Sequence, residues 1–338
     1  MQKQRKLDHI RICLEEDVRA KHISTGFEQY RFVHQALPEI SKDEIDTSVG
    51  FLGKRLGAPI LVSAMTGGTD LSAHINKNLA TAAAKLGLAM SVGSQRPAIE
   101  DESVAYSYQV RDVAPDILLF ANLGAVQLNY GYGIAECQRA VEMIQADALI
   151  LHLNPMQECI QPGGNTDFHD LLSKIARICE AISVPVVVKE VGLGISDDLA
   201  IKLQAAGVAA IDVAGAGGTS WVLVEKYRTE NETRRRIADT FADWGIPTTR
   251  SLAMVRAALP GFPLIASGGI VNGLEVAKAV ALGADLAGFA WPTLQPAMEG
   301  ASSVQQLFSR YVEELRVAMF CVGARSIADI KRARLEKT

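Results

Sequence analysis

The stretch from His152 to Glu158 holds the densest group of side chains in this sequence that could do chemistry. His152 and Asn154 are two residues apart and would share one face of a strand, while Gln157 and Glu158 follow on a loop. An imidazole titrates near neutrality, so His152 is a candidate acid or base, whereas Gln157 is a weak base. Glu158 is the only carboxylate of the stretch. Because one carboxylate commonly holds Mg²⁺ together with substrate phosphates and water, Glu158 is the predicted metal ligand.

Lys189 closes an apolar run that would otherwise be wholly buried. A buried cation needs a partner or a ligand, and the adjacent Glu190 could be that partner. The alternative, which we favour, places Lys189 in a polar ring with Ser94 and Asn122, which follow or end two other apolar runs. Such a ring suits the edge of a flavin, so Lys189 is predicted to bind a ligand.

Three cationic or potentially cationic side chains, Arg5, Lys6 and His9, lie within five positions near the N-terminus. Alone, such a cluster is usually a solvated chain end. A chain whose ligand carries a diphosphate would gain from an arm that folds over the site and supplies these groups. We therefore interpret residues 1–57 as an N-terminal arm that contributes to the site.

The framework for these groups is a series of eight short apolar runs, most of them followed by a helical pattern. The predicted strands are 58–65, 89–93, 117–123, 148–153, 184–190, 210–215, 263–269 and 286–291. The predicted helices are 73–86, 100–112, 134–145, 167–182, 196–206, 248–259, 273–283 and 302–320. Several runs are apolar on both faces, as a parallel sheet covered by helices requires. The pattern predicts an α/β fold, a (β/α)8 TIM barrel over residues 58–338, rather than a doubly wound sheet.

Two glycine clusters, residues 215–218 and 268–269, end the sixth and seventh predicted strands. Glycine lets backbone N–H groups approach an anion, and TIM barrels often bind a phosphate after their last two strands. Tight turning alone is the alternative interpretation. No G-x-G-x-x-G follows a strand and no G-x-x-x-x-G-K-[ST] is present, so flavin mononucleotide (FMN) in a barrel phosphate site fits better than a Rossmann or Walker site.

A polar insertion, residues 222–245, follows the sixth predicted strand. Residues 225–236 include five basic and three acidic side chains. A solvated loop or helix face is the favoured interpretation, and a lid that clamps the ligand is the alternative.

The composition excludes several classes of function. The 338 residues carry 34 Lys and Arg against 38 Asp and Glu, a net charge of −4, which argues against a nucleic-acid binder. The sequence has no uninterrupted apolar run of about 18 residues, and its charged N-terminus lacks the apolar stretch of a signal peptide. Five scattered cysteines without a C-x-x-C pair fit free thiols in a reducing compartment. We expect a cytoplasmic globular protein without nucleic-acid or membrane partners.

Nearly end to end, the sequence resembles the type 2 isopentenyl-diphosphate Δ-isomerases, which are flavin-dependent enzymes of isoprenoid biosynthesis. The motifs that carry the resemblance include R-K-L-D-H at 5–9, S-A-M-T-G-G at 63–68, G-S-Q-R at 93–96, H-L-N-P-M-Q-E at 152–158, V-K-E-V-G at 188–192, G-A-G-G-T-S-W at 215–221 and S-G-G-I at 267–270. The resemblance implies interconversion of isopentenyl and dimethylallyl diphosphate with reduced FMN, Mg²⁺ and NADPH as reductant, in a homo-oligomer, a tetramer or octamer.

The resemblance also assigns residues by motif. FMN would contact Ala64, Met65, Thr66, Ser94, Asn122, Lys189, Thr219, Gly268, Gly269, Ala290 and Trp291. The diphosphate would be held by Arg5, Lys6, His9, Gln95, Arg96 and Asn154, with Gln157 beside the reacting carbons and Glu158 on Mg²⁺. Val271 departs from the pattern, because the family often has an arginine there, and Trp291 is bulkier than the expected aliphatic residue. Backbone N–H groups would then have to satisfy the FMN phosphate.

The expected reaction adds a proton to one carbon and removes one from another, through a cation-like state. Few side-chain acids surround the site, which points to the reduced flavin as acid and base, with Gln157 and His152 as the catalytic side chains. The alternatives are an FMN-dependent 2-hydroxyacid oxidase, a nucleotide dehydrogenase with a sixth-strand cysteine and a silent flavin- or phosphate-binding module. The loop Gly217-Gly218-Thr219 disfavours both oxidoreductases, and the oxidase is also disfavoured because no histidine follows His169. The intact 152–158 stretch disfavours the silent module.

Overall fold

The computed structural model describes residues 2–338, in which helices alternate with short strands. The strands are β1 Tyr30–Phe32, β2 Val49–Phe51, β3 Lys54–Leu56, β4 Ile60–Val62, β5 Ala89–Ser91, β6 Leu119–Gly124, β7 Ala148–His152, β8 Val186–Lys189, β9 Ala210–Asp212, β10 Leu264–Ala266, β11 Leu286–Phe289 and β12 Leu335–Lys337. The helices are α1 Gln2–Glu15, α2 Asp70–Leu86, α3 Arg96–Glu100, α4 Ile134–Ile144, α5 Pro155–Ile160, α6 Leu171–Ala181, α7 Asp197–Ala205, α8 Trp221–Arg228, α9 Glu232–Thr240, α10 Thr248–Ala258, α11 Gly273–Ala281, α12 Trp291–Glu299, α13 Ala301–Cys321 and α14 Ile327–Ile330.

Strands β4 to β11 form a closed parallel barrel in the order β10-β11-β4-β5-β6-β7-β8-β9. This confirms the predicted (β/α)8 fold, and each of the eight predicted runs overlaps one barrel strand. The observed strands are mostly shorter than the runs, because several runs include the residues that leave the barrel at its mouth. None of the helices in residues 2–338 is both long and apolar enough to cross a membrane.

The predicted helix 100–112 differs from the structure. The chain there forms α3 and a 3₁₀ segment, Glu102–Ser107, separated by Asp101 in an extended conformation. The Asp101 side chain accepts a hydrogen bond from Ser103 N at 3.1 Å. A short polar side chain that caps the next segment competes with a continuous helix, which explains the break.

Inward-facing side chains fill the barrel in layers, two of which bear on the site. The deeper layer is apolar and contains Leu61, Ala89, Phe120, Ile150, Val187, Ala210, Ile265 and Leu286. Because side chains alternate between faces along a strand, the next inward position lies two residues further along each strand. Those positions are Ser63, Ser91, Asn122, His152, Lys189, Asp212, Ser267 and Gly288, and we call this polar layer the barrel floor. Six of the eight, all but Ser91 and Asp212, line the cavity described below.

The N-terminal 57 residues divide between the two ends of the barrel. Helix α1 packs against α8 and α12 beside the mouth. The β2–β3 hairpin lies at the opposite end, where Phe51 and Leu56 join the apolar interior layer. Strand β1 pairs with β12. Only the first part of this region can therefore contribute to a site at the mouth.

The insertion after β9 forms α8 and α9. Helix α8 buries Val222, Leu223, Val224 and Glu225, so the interpretation of the insertion as a solvated surface is wrong for this helix. In α9 only Ala238 is buried. The hydrophobic contacts of α8 with Ile12 and Val18 explain the difference, since they attach it to the N-terminal arm.

Candidate active site

A cavity of about 440 Å³ opens at the carboxyl ends of the barrel strands and is covered on one side by α1. Its size falls within the range of roughly 300–1,000 Å³ that is usual for small-molecule sites. The loop after α1 also lines it, through Arg19, Ser24 and Thr25, three residues that the sequence did not single out.

The structure brings the predicted site residues together, with one exception. The cavity is lined by Arg5, Lys6, His9, Ala64, Met65, Thr66, Ser94, Arg96, Asn122, His152, Asn154, Gln157, Glu158, Lys189, Thr219, Gly268, Gly269, Ala290 and Trp291. Gln95, predicted to bind the diphosphate, is fully buried outside the cavity lining. Its Nε2 donates to Ala140 O at 2.8 Å and its Oε1 accepts from Asn122 N at 2.9 Å. Both ends of the amide are occupied, so Gln95 supports the position of Asn122 instead.

His152 lies in the barrel floor with Nδ1 at 2.9 Å from Asn122 Oδ1. Since an amide oxygen only accepts, Nδ1 donates in this pair and Nε2 carries the lone pair of a neutral ring. Burial, together with the nearby charges of Lys189 and Lys6, lowers the pKa of His152 to about 3. The expectation that His152 titrates near neutrality is therefore wrong.

Lys189 is 7% exposed, and its Nζ donates to Glu190 O at 2.5 Å. The Glu190 carboxylate does not pair with it. Glu190 Oε2 instead accepts from the backbone N–H groups of residues 191, 192 and 193 at 2.6, 2.7 and 2.5 Å. This geometry favours the interpretation in which Lys189 faces a ligand over the one in which Glu190 neutralises it.

Glu158 is positioned by the sharp passage from β7 into α5. Asn154 occupies the N-cap position of α5 without a capping hydrogen bond from its side chain, and Pro155 occupies the first turn, where its fixed φ suits a helix start. Glu158 Oε1 accepts from Asn154 Nδ2 at 2.9 Å, and Oε2 accepts from Asn165 N at 2.6 Å and from Gln161 Nε2. Asn154 Oδ1 is buried without a hydrogen-bond partner in residues 2–338.

These residues fit a magnesium ion held mainly by its substrate. Residues 2–338 contain no group of three His, Cys, Asp or Glu side chains able to hold a metal by themselves. Mg²⁺ usually binds one or two carboxylates and completes its shell with phosphates and water. The single carboxylate of Glu158, with the unpaired oxygen of Asn154 beside it, matches that mode.

Positive charge gathers on the opposite wall. Burial first, and then the charge of Arg96, lowers the pKa of Arg5, whose Nε is buried without a hydrogen-bond partner in the described chain. Burial and the charge of Arg5 lower the pKa of Lys6 to about 8. Cations held this close repel one another, so an anion bound among them would relieve both the repulsion and the missing hydrogen bond.

Glu225 of α8 was not predicted as a site residue, although it fixes two of the predicted ones. Its side chain is fully buried, and its Oε1 accepts from His9 Nε2 at 3.0 Å and Gln157 Nε2 at 3.2 Å. Burial favours a raised pKa, but the His9 hydrogen bond and the charges of His9 and Arg228 outweigh it, so the pKa of Glu225 is lowered. The three apolar residues before Glu225 were the available signal, since they indicate a buried helix face.

The glycine clusters bring β9 and β10 into close backbone contact. Gly268 has φ +101°, and a Cβ there would lie 2.1 Å from Gly215 O. A Cβ at Gly218 would lie 2.5 Å from Gly269 Cα. Only glycine fits at both positions, which leaves a cradle of backbone atoms that suits the FMN phosphate. The N–H of Val271 does not contribute, because it donates to Glu275 Oε2 at 2.8 Å.

The sequence matches the FMN-dependent dehydrogenase family over residues 2–109 and 153–337. It is 55% identical over 97% of its length to an isopentenyl-diphosphate delta-isomerase of Nostoc sp., of which it covers 94%. The isopentenyl-diphosphate delta-isomerase of Stutzerimonas stutzeri is 52% identical, with coverage of 98% of this chain and 96% of that one. The chain belongs to the isopentenyl-diphosphate delta-isomerase family. The resemblance deduced from the motifs is thereby confirmed.

Solved structures agree with the fold of this isomerase family member. A mandelate oxidase with (S)-2-phenylpropionate superimposes with a TM-score of 0.71 at 18% identity, covering 99% of this chain and 97% of that one. A mandelate oxidase variant with benzoyl-formic acid gives a TM-score of 0.68 at 18% identity, with 93% and 88% covered. At this identity the likeness shows the barrel fold and nothing about the reaction.

In this isomerase family member, Trp291 attaches the N-terminal arm to the barrel. Trp291 Nε1 donates to Cys13 O at 2.8 Å, at the end of α1. The Arg19 guanidinium carbon lies 5.9 Å from the centre of the indole ring, within the range of a cation–π contact. The bulk of Trp291, unexpected from the motif, thus spans the gap between α12 and the arm.

Proposed function

We propose that this protein interconverts isopentenyl and dimethylallyl diphosphate with bound reduced FMN and Mg²⁺. The observation that carries the proposal is one cavity that joins a polar barrel floor containing Lys189 to the cations Arg5, Lys6 and Arg96. The first can hold a flavin and the second a diphosphate. The names of the relatives support this choice of reaction over hydroxyacid oxidation.

FMN would lie over the barrel floor with its phosphate at the glycine cradle. Lys189 and Asn122 offer hydrogen-bond donors to the edge of the ring, and Gly268 and Gly269 leave room for the phosphate. When bound and reduced, FMN supplies groups able to give and take a proton at the allylic carbons of the substrate.

The substrate would lie between the flavin and α1. Arg5 and Lys6 donate charge-assisted hydrogen bonds to the diphosphate, and Glu158 holds Mg²⁺ against it. His9 and Gln157 are both fixed by Glu225, which sets the orientation of the Gln157 amide. With the substrate bound, this amide would lie beside the reacting carbons. His152, neutral at physiological pH, holds Asn122 rather than moving a proton.

We further propose NADPH as the reductant, a cytoplasmic location and a homo-oligomeric assembly, a tetramer or octamer. These parts of the proposal rest on the family resemblance and on the free cysteines of the sequence.

The direct test incubates the photoreduced or NADPH-reduced protein with isopentenyl diphosphate and Mg²⁺ without oxygen, and identifies the product by NMR. Dimethylallyl diphosphate is expected from the reduced protein and not from the oxidised one. Absence of product with reduced FMN bound would refute the proposal. Replacing FMN with 5-deaza-FMN should abolish turnover, whereas an unchanged rate would remove proton transfer by the flavin.

A further inference from the structure

The barrel floor contains two charged side chains, Lys189 and Asp212. The other floor residues are three serines, an asparagine, a glycine and His152, which is neutral. Lys189 and Asp212 occupy directly paired positions on β8 and β9, so both project inward at the same level. Asp212 is fully buried, and it is not among the residues that line the cavity.

Lys189 forms no salt bridge in residues 2–338. Its hydrogen bond goes to a backbone carbonyl, and Glu190 is bound to three backbone N–H groups instead. A buried ammonium without an opposite charge is costly, and the flexible lysine chain beside an open cavity could turn its charged end toward water. Something must hold the ammonium inside the mouth.

Asp212 is a buried carboxylate that also lacks a full set of partners. Its Oδ1 accepts from Ser267 Oγ at 2.7 Å and Ala214 N at 3.2 Å, but its Oδ2 is buried without a hydrogen-bond partner in residues 2–338. Burial raises the pKa of Asp212, and the charge of Lys189 is the largest influence opposing that rise. The two groups form no direct ion pair in the described chain, so the attraction acts through the buried interior, where charges are screened less than in water.

We propose that Asp212 is a positioning residue whose buried negative charge holds the Lys189 ammonium in the barrel floor, beside the flavin ring. Asp212 acts through Lys189 and touches neither flavin nor substrate. The inference deepens the proposed function, because it rests on FMN binding over the floor.

The test is the affinity of the oxidised, FMN-loaded protein for sulfite, a probe whose adduct with flavin is stabilised by positive charge near the ring. Asp212→Asn and Lys189→Met should each weaken sulfite binding by at least about tenfold, because either change removes the ammonium from the ring. The double variant should resemble Lys189→Met alone. Glu190→Gln, the same carboxylate-to-amide change at an equally buried neighbour, should stay within about threefold of the wild type.

Several outcomes would overturn the inference: unchanged or tighter sulfite binding in Asp212→Asn, additive effects in the double variant, or an equal effect of Glu190→Gln. Wild-type protein that binds no FMN would overturn the proposed function as well. Normal isomerisation by the wild type with unaltered sulfite affinity in Asp212→Asn would overturn this inference alone.

Thermal unfolding of the FMN-free proteins gives a second measurement, which does not require the loaded enzyme. Each single variant leaves one buried charge uncompensated, while the double variant leaves none. The double variant should therefore melt at a higher temperature than Asp212→Asn, even if that single variant folds poorly. A double variant that is no more stable than Asp212→Asn would contradict the pairing.

Discussion

The barrel floor and the cationic wall opposite it differ in how their buried charges are compensated. We use "cationic wall" for Arg5, Lys6 and Arg96. In the floor, Lys189 and Asp212 place opposite charges at paired strand positions, so the floor carries its own counter-charge. In the wall, burial and mutual repulsion lower the pKa of Arg5 and Lys6. A balanced site suits a group that stays bound, and an unbalanced one suits an anion that arrives and leaves.

The largest expected effect is at Glu158, which would bind the diphosphate through Mg²⁺ and so, like the cationic wall, serves the substrate and not the flavin. Glu158→Gln should lower kcat/KM by roughly 100-fold and abolish its dependence on Mg²⁺, because an amide is a poor magnesium ligand. Rates measured against Mg²⁺ concentration check this. Glu142→Gln, at an exposed position on α4, is the matched control. A retained magnesium dependence would remove Glu158 as the ligand.

Arg5→Ala should weaken substrate binding at the cationic wall without weakening FMN binding at the barrel floor. Loss of a charge-assisted hydrogen bond predicts a KM for isopentenyl diphosphate about 10–100-fold higher, with the FMN dissociation constant within about twofold of the wild type. Arg11→Ala, which removes an exposed arginine paired with Glu15 on the same helix, should change neither. Weaker FMN binding with unchanged KM would reverse the assignment of the two regions.

The pH dependence of substrate binding should follow the protonation of Lys6 in the cationic wall, and not a group in the barrel floor. The pKa of Lys6 is lowered to about 8, so its amine is protonated below that pH and neutral above it. Only the protonated form attracts the diphosphate, so KM should rise as pH increases through about 8, approaching tenfold per unit. Measurements between about pH 6.5 and 9.5 test this. Lys6→Met should abolish that rise, and a rise that persists in the variant would assign it elsewhere.

Trp291 joins the two regions, and its replacement should have the smallest effect. Trp291→Phe keeps an aromatic ring but loses the hydrogen bond to Cys13 O, so KM should rise about 2–10-fold. Trp244→Phe changes a tryptophan that is 59% exposed and serves as the control. An effect as large as that of Arg5→Ala would mean that the arm depends on Trp291 to close.

The two regions also differ in how far the sequence predicts them. Floor residues such as Asn122 and Lys189 follow from apolar runs whose ends must meet at the mouth of a barrel. The contact between His9 and Glu225 joins residues 216 positions apart, and no local pattern encodes it. The prediction that Gln95 binds the diphosphate was wrong for a related reason. Gln95 adjoins Ser94, which lines the cavity, but the backbone turns the Gln95 side chain toward Ala140.

Asp212 and His152 show that residue type alone does not predict the protonation state of a buried side chain. The strand pattern places both in the floor, but the neutrality of His152 depends on burial and on two lysines from separate elements. The chemical state of a buried group is set by neighbours that only the folded chain brings together.

Deuterium incorporation tests the central claim, that this site moves protons with no net oxidation. The reduced protein in D₂O, without oxygen, is given isopentenyl diphosphate and Mg²⁺ while NMR follows the isoprenoid and absorbance follows the flavin. Deuterium is expected in dimethylallyl diphosphate over many turnovers, with the flavin still reduced. Flavin oxidation in step with substrate loss, without deuterated isomer, would contradict it.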